Sequence, residues 1–165
     1  MQQQVARTTQ ALDFSHQAGF FDSLERGHEA EELAKSKYRS LGCTVPVTTD
    51  ADASLSQKRA WDFAVTYPLQ FNVEVKRDMM AQQTGNVCIE HRAVAHSQAT
   101  YFVYAIDGCD QVFQLDHMRA GSLEDSTLTR LILKYRHTWA QRGYGNAYWS
   151  TLVPLGEFIR YATPL

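Results

Sequence analysis

The sequence has no long apolar run, no secretory signal and no excess of charge of one sign. No stretch approaches the roughly 18 apolar residues that a membrane-spanning helix requires, so we expect no membrane contact. Residues 1–10 are rich in Gln and Thr and lack the apolar segment of a signal peptide. The 16 basic and 18 acidic residues give a net charge of −2. This balance argues against a protein that coats nucleic acid through net charge alone.

Cysteine is scarce as well. Cys43, Cys88 and Cys109 are too few and too widely spaced for a disulfide framework or a zinc-binding motif. We therefore expect three free thiols in a reducing compartment, the cytoplasm.

What the sequence does contain is typical of one globular domain. Its 165 residues are 44% hydrophobic and 21% charged, which fits a single core rather than a disordered chain or a fibrous repeat. We expect one domain over residues 1–165, in which residues 1–12 form a mobile polar lead-in.

The first strong element is a helix predicted over residues 23–41. Asp22 and Glu25 have the spacing of a capping box at its start. Gly42 supplies a residue that adopts the left-handed conformation easily at its end. The apolar side chains that recur at helical spacing are Ala30, Leu33, Ala34, Tyr38 and Leu41.

Alternating apolar residues predict strands in the rest of the chain. Residues 61–66 and 70–76 alternate at period two on either side of Tyr67-Pro68-Leu69, which predicts a β-hairpin. Further strands are predicted over residues 87–91, 101–106, 111–115 and 148–153, and further helices over 123–141 and 155–161. Strands lying between helices predict an α/β fold with a central mixed β-sheet flanked by helices.

Two acidic residues face each other in this hairpin. If the hairpin is symmetric about Pro68, Asp62 pairs with Glu74 and their Cβ atoms lie about 4.5–5.5 Å apart. Such carboxylates repel each other unless a cation or a proton lies between them. Lys76 shares the face of Glu74, and converging oxygens beside an ammonium suit a divalent cation such as Mg²⁺. The alternative, from the hairpin alone, is a surface salt bridge.

The first helix places a third acid near this pair. On a helical wheel Glu31 lies at the edge of the apolar stripe, whereas Glu25, Glu29 and Glu32 project into solvent. Only Glu31 is therefore able to lean over the buried seam toward the sheet. We expect Glu31, Asp62 and Glu74-Val75-Lys76 to meet at one sheet edge.

This arrangement resembles the PD-(D/E)XK nuclease superfamily. The resemblance covers about residues 27–90, and one position departs from the pattern, since Trp61 and not Pro precedes Asp62. The Gly-x-x-x-Glu opening is most similar to archaeal-type and phage Holliday junction resolvases. The matching pieces, in order, are Gly27-His-Glu-Ala-Glu31, Leu41-Gly42-Cys43, Asp62 and Glu74-Val75-Lys76.

The resemblance implies a restriction-endonuclease-like core and a role for each of these residues. Asp62, Glu74 and the Val75 carbonyl would bind a catalytic Mg²⁺, which Mn²⁺ would be able to replace. Lys76 would orient or help deprotonate the attacking water, and Glu31 would hold a second ion or an ordered water. Phosphodiester hydrolysis needs an activated water and neutralised phosphate charge, and a bound metal supplies both.

Further residues are candidates for the same site. Glu90 ends a strand where members of the superfamily carry a similar acid, and it either supports the metal, binds Lys76 or is a surface acid. Ser97, Gln98 and Thr100 are expected to line the same cleft. The candidate phosphate contacts are Lys35, Arg59, Arg77 and Arg92. The aromatic residues that either stack on bases or pack in the core are Tyr101, Trp139, Tyr144, Tyr148 and Trp149.

We therefore expect a Mg²⁺-dependent DNA endonuclease that acts on branched or structured DNA. It would work as a homodimer whose two sites make symmetric cuts, and in the host cytoplasm if it is phage-encoded. A restriction-type or single-strand-processing nuclease is the alternative within this class, because the metal site is common to all of them. The alternatives of other classes are a DNA-binding protein that keeps the fold without cutting and a scaffold with incidental acids.

Overall fold

The computed structural model describes residues 14–47, 60–118, 125–142 and 148–165. The predicted lead-in over residues 1–12, the candidate phosphate contact Arg59 and the candidate stacking residue Tyr144 lie outside the described residues. The helices of the described ranges are α1 (Phe14–Ser40), α2 (Ala81–Thr84), α3 (His91–His96), α4 (Thr127–Lys134), a 3₁₀-helix (Arg136–Thr138) and α5 (Leu155–Tyr161). The strands of the same ranges are β1 (Phe63–Val65), β2 (Phe71–Asp78), β3 (Asn86–Glu90), β4 (Tyr101–Ile106), β5 (Val112–Asp116), β6 (Ala140–Arg142), β7 (Tyr148–Pro154) and β8 (Thr163–Pro164).

A mixed five-stranded sheet forms the centre of the fold, in the order β1-β2-β4-β5-β8. Strands β2 and β4 are parallel, and the other neighbours are antiparallel. The predicted α/β class, with a central mixed sheet flanked by helices, is confirmed. A second, antiparallel sheet in the order β3-β7-β6 was not predicted.

The two faces of the central sheet are covered by different elements. Ala30, Ala34 and Tyr38 of α1 pack on one face with the inward side chains of β1, β2, β4 and β5. The other face packs in a larger cluster with the second sheet, α4 and α5. Since Val73 and Val75 of β2 belong to the α1 side, the alternating residues Glu74 and Lys76 point toward the second sheet.

The start of the first helix differs from the prediction, and its end agrees with it. Helix α1 begins at Phe14, so Asp22 lies inside it and the predicted capping box is wrong. Adding residues to an existing helix costs little, so a helix extends beyond its apolar stripe. At the other end, Gly42 has φ 82°, and its N–H donates to the Arg39 carbonyl while the Cys43 N–H donates to the Tyr38 carbonyl. These bonds form the Schellman motif that the glycine predicted.

Two further differences concern exposure and helix length. Leu33 and Leu41, predicted in the apolar stripe of α1, are 38% and 60% exposed, so alanines and Tyr38 make the contact with the sheet. The helix predicted over residues 123–141 is confined to Thr127–Lys134 where the chain is described, because β6 instead pairs with β7.

Among the described residues, no helix has the length and apolar character needed to cross a bilayer.

Candidate active site

Asp62 lies where β1 stops pairing regularly with β2. The register Ala64–Asn72 is the one that symmetry about Pro68 predicts. Asp62 departs from this register, because its N–H donates to the Val73 carbonyl at 2.9 Å and its Oδ2 accepts the Val75 N–H at 2.6 Å. The carboxylate is therefore fixed against the backbone of the residue that follows Glu74.

Trp61 marks the same departure. The alternation of the predicted strand placed Trp61 on the face of Phe63, but Trp61 packs against the larger core cluster and Phe63 packs in the α1 cluster. The chain turns at Asp62, so the alternation of side chains does not continue through it. The alternation of residues in the sequence does not predict this turn.

Glu74 and Lys76 lie side by side on the face of β2 that points away from α1. Their side chains are 15% and 29% exposed, and Glu74 Oε1 lies 2.7 Å from Lys76 Nζ. The buried hydroxyl of Ser97 lies 3.4 Å from Glu74 Oε2 and 3.0 Å from the Ala60 carbonyl. Since the hydroxyl has one proton and the Ala60 carbonyl is the nearer acceptor, Ser97 is bonded to the segment that leads into Asp62 and lies beside Glu74.

Glu31 approaches the same edge from the opposite side of the sheet. Its side chain is 25% exposed, whereas those of Glu29 and Glu32 are 62% and 65% exposed, as the helical wheel predicts. Lys35 Nζ lies 3.8 Å from the Glu31 carboxylate. The structure therefore brings Glu31 near Asp62, close enough for its charge to raise the Asp62 pKa.

The acids and the lysine perturb each other's protonation. Although Asp62 is exposed as a residue, protein atoms around its carboxyl group and then the charges of Glu74 and Glu31 raise its pKa to about 7, against the hydrogen bond from Val75. Burial acts to lower the pKa of Lys76, but the charge and hydrogen bond of Glu74 outweigh it and raise that pKa. Lys76 is therefore an ammonium at neutral pH, and it does not fully compensate the acids.

The donor set fits a divalent cation that keeps part of its water shell. Among the described residues, no three Asp, Glu, His or Cys side chains converge into a complete metal site. The pKa of Asp62 is raised mainly by the burial of its carboxyl group and then by the charge of Glu74, so a cation beside both groups would favour the ionised carboxylate. Because the N–H and C=O of one strand residue point to the same side, the Val75 carbonyl faces the Asp62 edge as well. Mg²⁺ is typically bound by one or two carboxylates, with water and phosphate as further ligands.

An open cleft of about 970 Å³ runs beside Glu74 and Lys76. Of the further candidates from the sequence, Glu90, Arg92, Ser97 and Gln98 line it, and the negative charge of Glu90 contributes to the raised pKa of Lys76. Thr100 lies elsewhere, where its hydroxyl accepts the Asn72 N–H at 3.4 Å. The remaining lining residues are Ala60, Ala93, His96 and Tyr148.

Of the predicted phosphate contacts that the structure describes, Arg92 lines this cleft, and Lys35 and Arg77 do not. Lys35 is 15% exposed and is held by Glu31 and by Glu32 at 2.8 Å. The Arg77 guanidinium lies 2.7 Å from a carboxylate oxygen of Glu29 and 2.7 Å from one of Asp107. It therefore connects α1 to the turn after β4. Arg92 lines the cleft and is exposed, and no ion pair to it is found within the described ranges.

Sequence reasoning missed Asp78 and the contribution of β7. The Asp78 carboxylate accepts the N–H groups of Met80, Ala81 and Cys88 at 2.8–2.9 Å, which joins the end of β2 to the second sheet. Tyr148 was considered only as a general stacking candidate. It reaches the cleft because β7 pairs with β3, a contact between residues far apart in sequence.

Comparisons with known proteins give one structural likeness. No protein-family model matches the sequence, and no curated protein matches it. Among solved structures, the chain is similar to a bacterial homing endonuclease, with a TM-score of 0.42 and 16% identity over 55% of this chain. The likeness spans 62% of the length of that endonuclease.

Proposed function

We propose that the chain is a metal-dependent DNA endonuclease with Asp62, Glu74 and Lys76 in its active site. One observation carries the proposal, which is the arrangement of these groups about β2. Glu74 and Lys76 line an open cleft with 2.7 Å between their charged atoms, and Asp62 is hydrogen-bonded to the backbone of the intervening residue. Such a group of acids beside one ammonium, at an open surface, suits the hydrolysis of a phosphodiester.

Each residue of the proposed site would contact the ion, the attacking water or the phosphate. Asp62, Glu74 and the Val75 carbonyl would hold Mg²⁺ or Mn²⁺, and the bound ion supplies an activated water and neutralises phosphate charge. The Lys76 ammonium donates hydrogen bonds, so it would orient the water or a phosphate oxygen rather than accept a proton. Glu31 would hold a second ion or an ordered water.

The cleft wall supplies one arginine and one histidine as hydrogen-bond donors for the DNA backbone. Arg92 and His96 lie four residues apart on α3, hence on one side of that helix, and both line the cleft. Phosphate contacts from such groups position a nucleic acid without reading its sequence. Glu90, at the β3 end of the same cleft, would help hold Lys76.

We further propose branched or structured DNA as the substrate, cut by a homodimer, as in Holliday junction resolution. The net charge of −2 disfavours tight coating of any duplex, and the two basic residues Lys76 and Arg92 line the cleft beside Glu74 and Glu90. Two symmetric sites would suit two symmetric cuts. A restriction-type or single-strand-processing nuclease would share the same metal site and differ in its substrate.

A cleavage assay tests both levels of this proposal. Labelled four-way junction, duplex and single-stranded DNA are incubated with Mg²⁺, Mn²⁺ or EDTA, and the oligomeric state is measured by light scattering. We expect junction cleavage with Mg²⁺ that EDTA abolishes and that Glu74→Gln and Lys76→Ala reduce at least a hundredfold. Lys134→Ala, which breaks an ion pair with Glu157 outside the cleft, is the control.

The outcomes separate the activity from the substrate. No cleavage of any DNA with either ion contradicts the nuclease proposal and favours a protein that only binds DNA. Equal cleavage of junction and duplex contradicts the branched substrate and keeps the nuclease. A monomer under the conditions of cleavage contradicts the homodimer.

A further inference from the structure

A second cavity of about 350 Å³ lies directly beside the proposed active-site cleft. Lys76, Glu90 and Tyr148 line both cavities, so these three side chains form the wall between them. A group bound in the second cavity, here called the side pocket, would therefore neighbour a phosphate held at Glu74 and Lys76. Met79, Met80 and Arg142 also line the side pocket.

Arg142 gives the side pocket a positive charge. The residue lines the pocket, although its Nε is enclosed by protein atoms and has no hydrogen-bond partner among the described residues. A guanidinium carries further N–H donors and accepts no hydrogen bond, so Arg142 favours a ligand with oxygen or ring-nitrogen acceptors.

Tyr148 gives the same pocket an aromatic surface. Arg142 and Tyr148 are directly opposite each other in the β6–β7 pair, so their side chains leave the sheet on one face, with Cβ atoms about 5 Å apart. Met79 and Met80, which are 42% and 51% exposed, add apolar surface to the pocket. An aromatic ring beside a guanidinium is the pairing that proteins use to stack a nucleobase and bind its edge.

The size of the side pocket limits what enters it. Its volume is at the lower end of the range for small-molecule sites. A base inside a duplex is stacked and paired, so it reaches such a pocket only by leaving the stack. A base that is already unpaired does not incur that cost.

We propose that the side pocket binds one unpaired nucleotide of the DNA strand being cut, with its base on Tyr148 and an acceptor atom on Arg142. This inference rests on the proposed nuclease function and narrows the substrate to DNA that has an unpaired nucleotide beside the scissile phosphate. Strands at junctions, flaps and bulges provide such nucleotides.

Binding in EDTA, where no cleavage occurs, tests the side pocket directly. The probes are a labelled duplex, the same duplex with a one-nucleotide thymidine bulge, and that bulge with an abasic site, measured by fluorescence anisotropy. Since stacking of one base contributes about tenfold or more in affinity, we expect the bulged duplex to bind about tenfold more tightly than the abasic one. We expect Tyr148→Ala and Arg142→Gln to abolish this difference and Tyr148→Phe to retain it.

Two matched variants control for surface changes. Trp149→Ala removes an exposed aromatic side chain from the opposite face of β7, and Arg136→Ala removes an exposed arginine outside the side pocket. Both should keep the tenfold preference. Equal binding of the bulged and abasic duplexes by the wild type, or an equal loss in Tyr148→Phe and Tyr148→Ala, overturns the inference.

The cleavage assay separates this inference from the function on which it rests. If no DNA is cut but the preference for a base depends on Tyr148 and Arg142, the nuclease proposal fails and the side pocket remains. If DNA is cut but Tyr148→Ala and Arg142→Gln leave the preference unchanged, the side pocket is overturned and the nuclease proposal remains.

Discussion

At the scale of single residues, the candidate site is defined by an imbalance of charge. The charges of Glu74 and Glu31 act on Asp62, and Lys76 forms an ion pair with Glu74. The raised pKa of Asp62 follows from its crowded surroundings and from these like charges. The same imbalance that suits a cation should therefore destabilise the protein when no cation is bound.

The stability of the metal-free protein should depend on the ionisation of Asp62. Its folded pKa is raised from 3.8 to about 7, so the native state holds this proton more tightly than the unfolded chain does. The contribution is present at low pH and is lost as the pH rises toward 7. We expect Asp62→Asn to gain stability relative to the wild type between pH 5 and pH 8, measured by urea unfolding in EDTA.

The exposed Asp110 provides the control for this titration. Asp110→Asn should follow the wild type across the same pH range. A constant difference between Asp62→Asn and the wild type from pH 5 to pH 8 would contradict the repulsion inferred at the sheet edge.

A second residue, Asp78, should matter for stability rather than for catalysis. Asp78→Ala leaves the N–H groups of Met80, Ala81 and Cys88 without their acceptor. We expect a loss of about 3 kcal/mol in the free energy of unfolding, measured by urea titration. The exposed Asp110→Ala should change it by less than about 0.5 kcal/mol. A similar small change in both variants would show that these hydrogen bonds do not hold β2 to the second sheet.

At the scale of elements, the sequence predicts the C-terminal end of α1 correctly and its N-terminal start wrongly. Its sheet-facing residues Ala30, Ala34 and Tyr38 follow the predicted stripe, and Gly42 ends it as predicted. The N-terminus was misplaced because a capping pattern at Asp22 does not stop a helix that continues upstream. Local signals mark a helix end firmly only where, as at Gly42, the backbone itself changes conformation.

Two glycines of this region should respond to alanine in opposite ways. Gly42 has φ 82°, so Gly42→Ala is expected to cost about 1 kcal/mol through backbone strain. Gly27 lies inside α1 with open space around its α-carbon, so Gly27→Ala should stabilise the protein by roughly 0.5–1 kcal/mol. Thermal and urea unfolding measure both. Stabilisation by Gly42→Ala would contradict the helix end described above.

Among the strands, too, some are predicted by the local sequence pattern and others depend on pairing with distant segments. The hairpin β1–β2 and its register follow from the alternation of residues and from the position of Pro68. Strand β6 does not follow from the sequence, because most of Ala140–Arg142 falls in the segment 123–141 that was predicted as a helix. These residues form a strand only by pairing with β7. Tertiary pairing overrides weak local preference in such short segments.

At the scale of the whole molecule, the cleft depends on contacts between distant parts of the chain. Strand β2 supplies Glu74 and Lys76, α3 supplies Arg92, and β7 supplies Tyr148. Helix α1 brings Glu31 from the opposite face of the sheet. A ligand that binds this assembled site should therefore stabilise the whole fold.

Addition of Mg²⁺ should raise the stability of the folded protein. At a concentration ten times its Kd, a cation bound only by the native state adds about 1.4 kcal/mol, which calorimetry detects as a higher midpoint of unfolding. Glu74→Gln should remove this effect, and Glu32→Gln, at an exposed acid of α1, should retain it. An equal Mg²⁺ effect in the two variants would place cation binding elsewhere.

The sequence by itself determined the C-terminal end of the first helix and the register of the hairpin. These features follow from periodicities of 3.6 and 2 residues and from one glycine and one proline, which act over a few neighbouring residues. Only the tertiary structure decided that Asp62 turns to bind the Val75 N–H and that Ser97 lies beside Glu74. Only it placed Tyr148 beside the cleft. Those contacts join residues far apart in the chain, so they depend on how the two sheets pack and not on any local pattern.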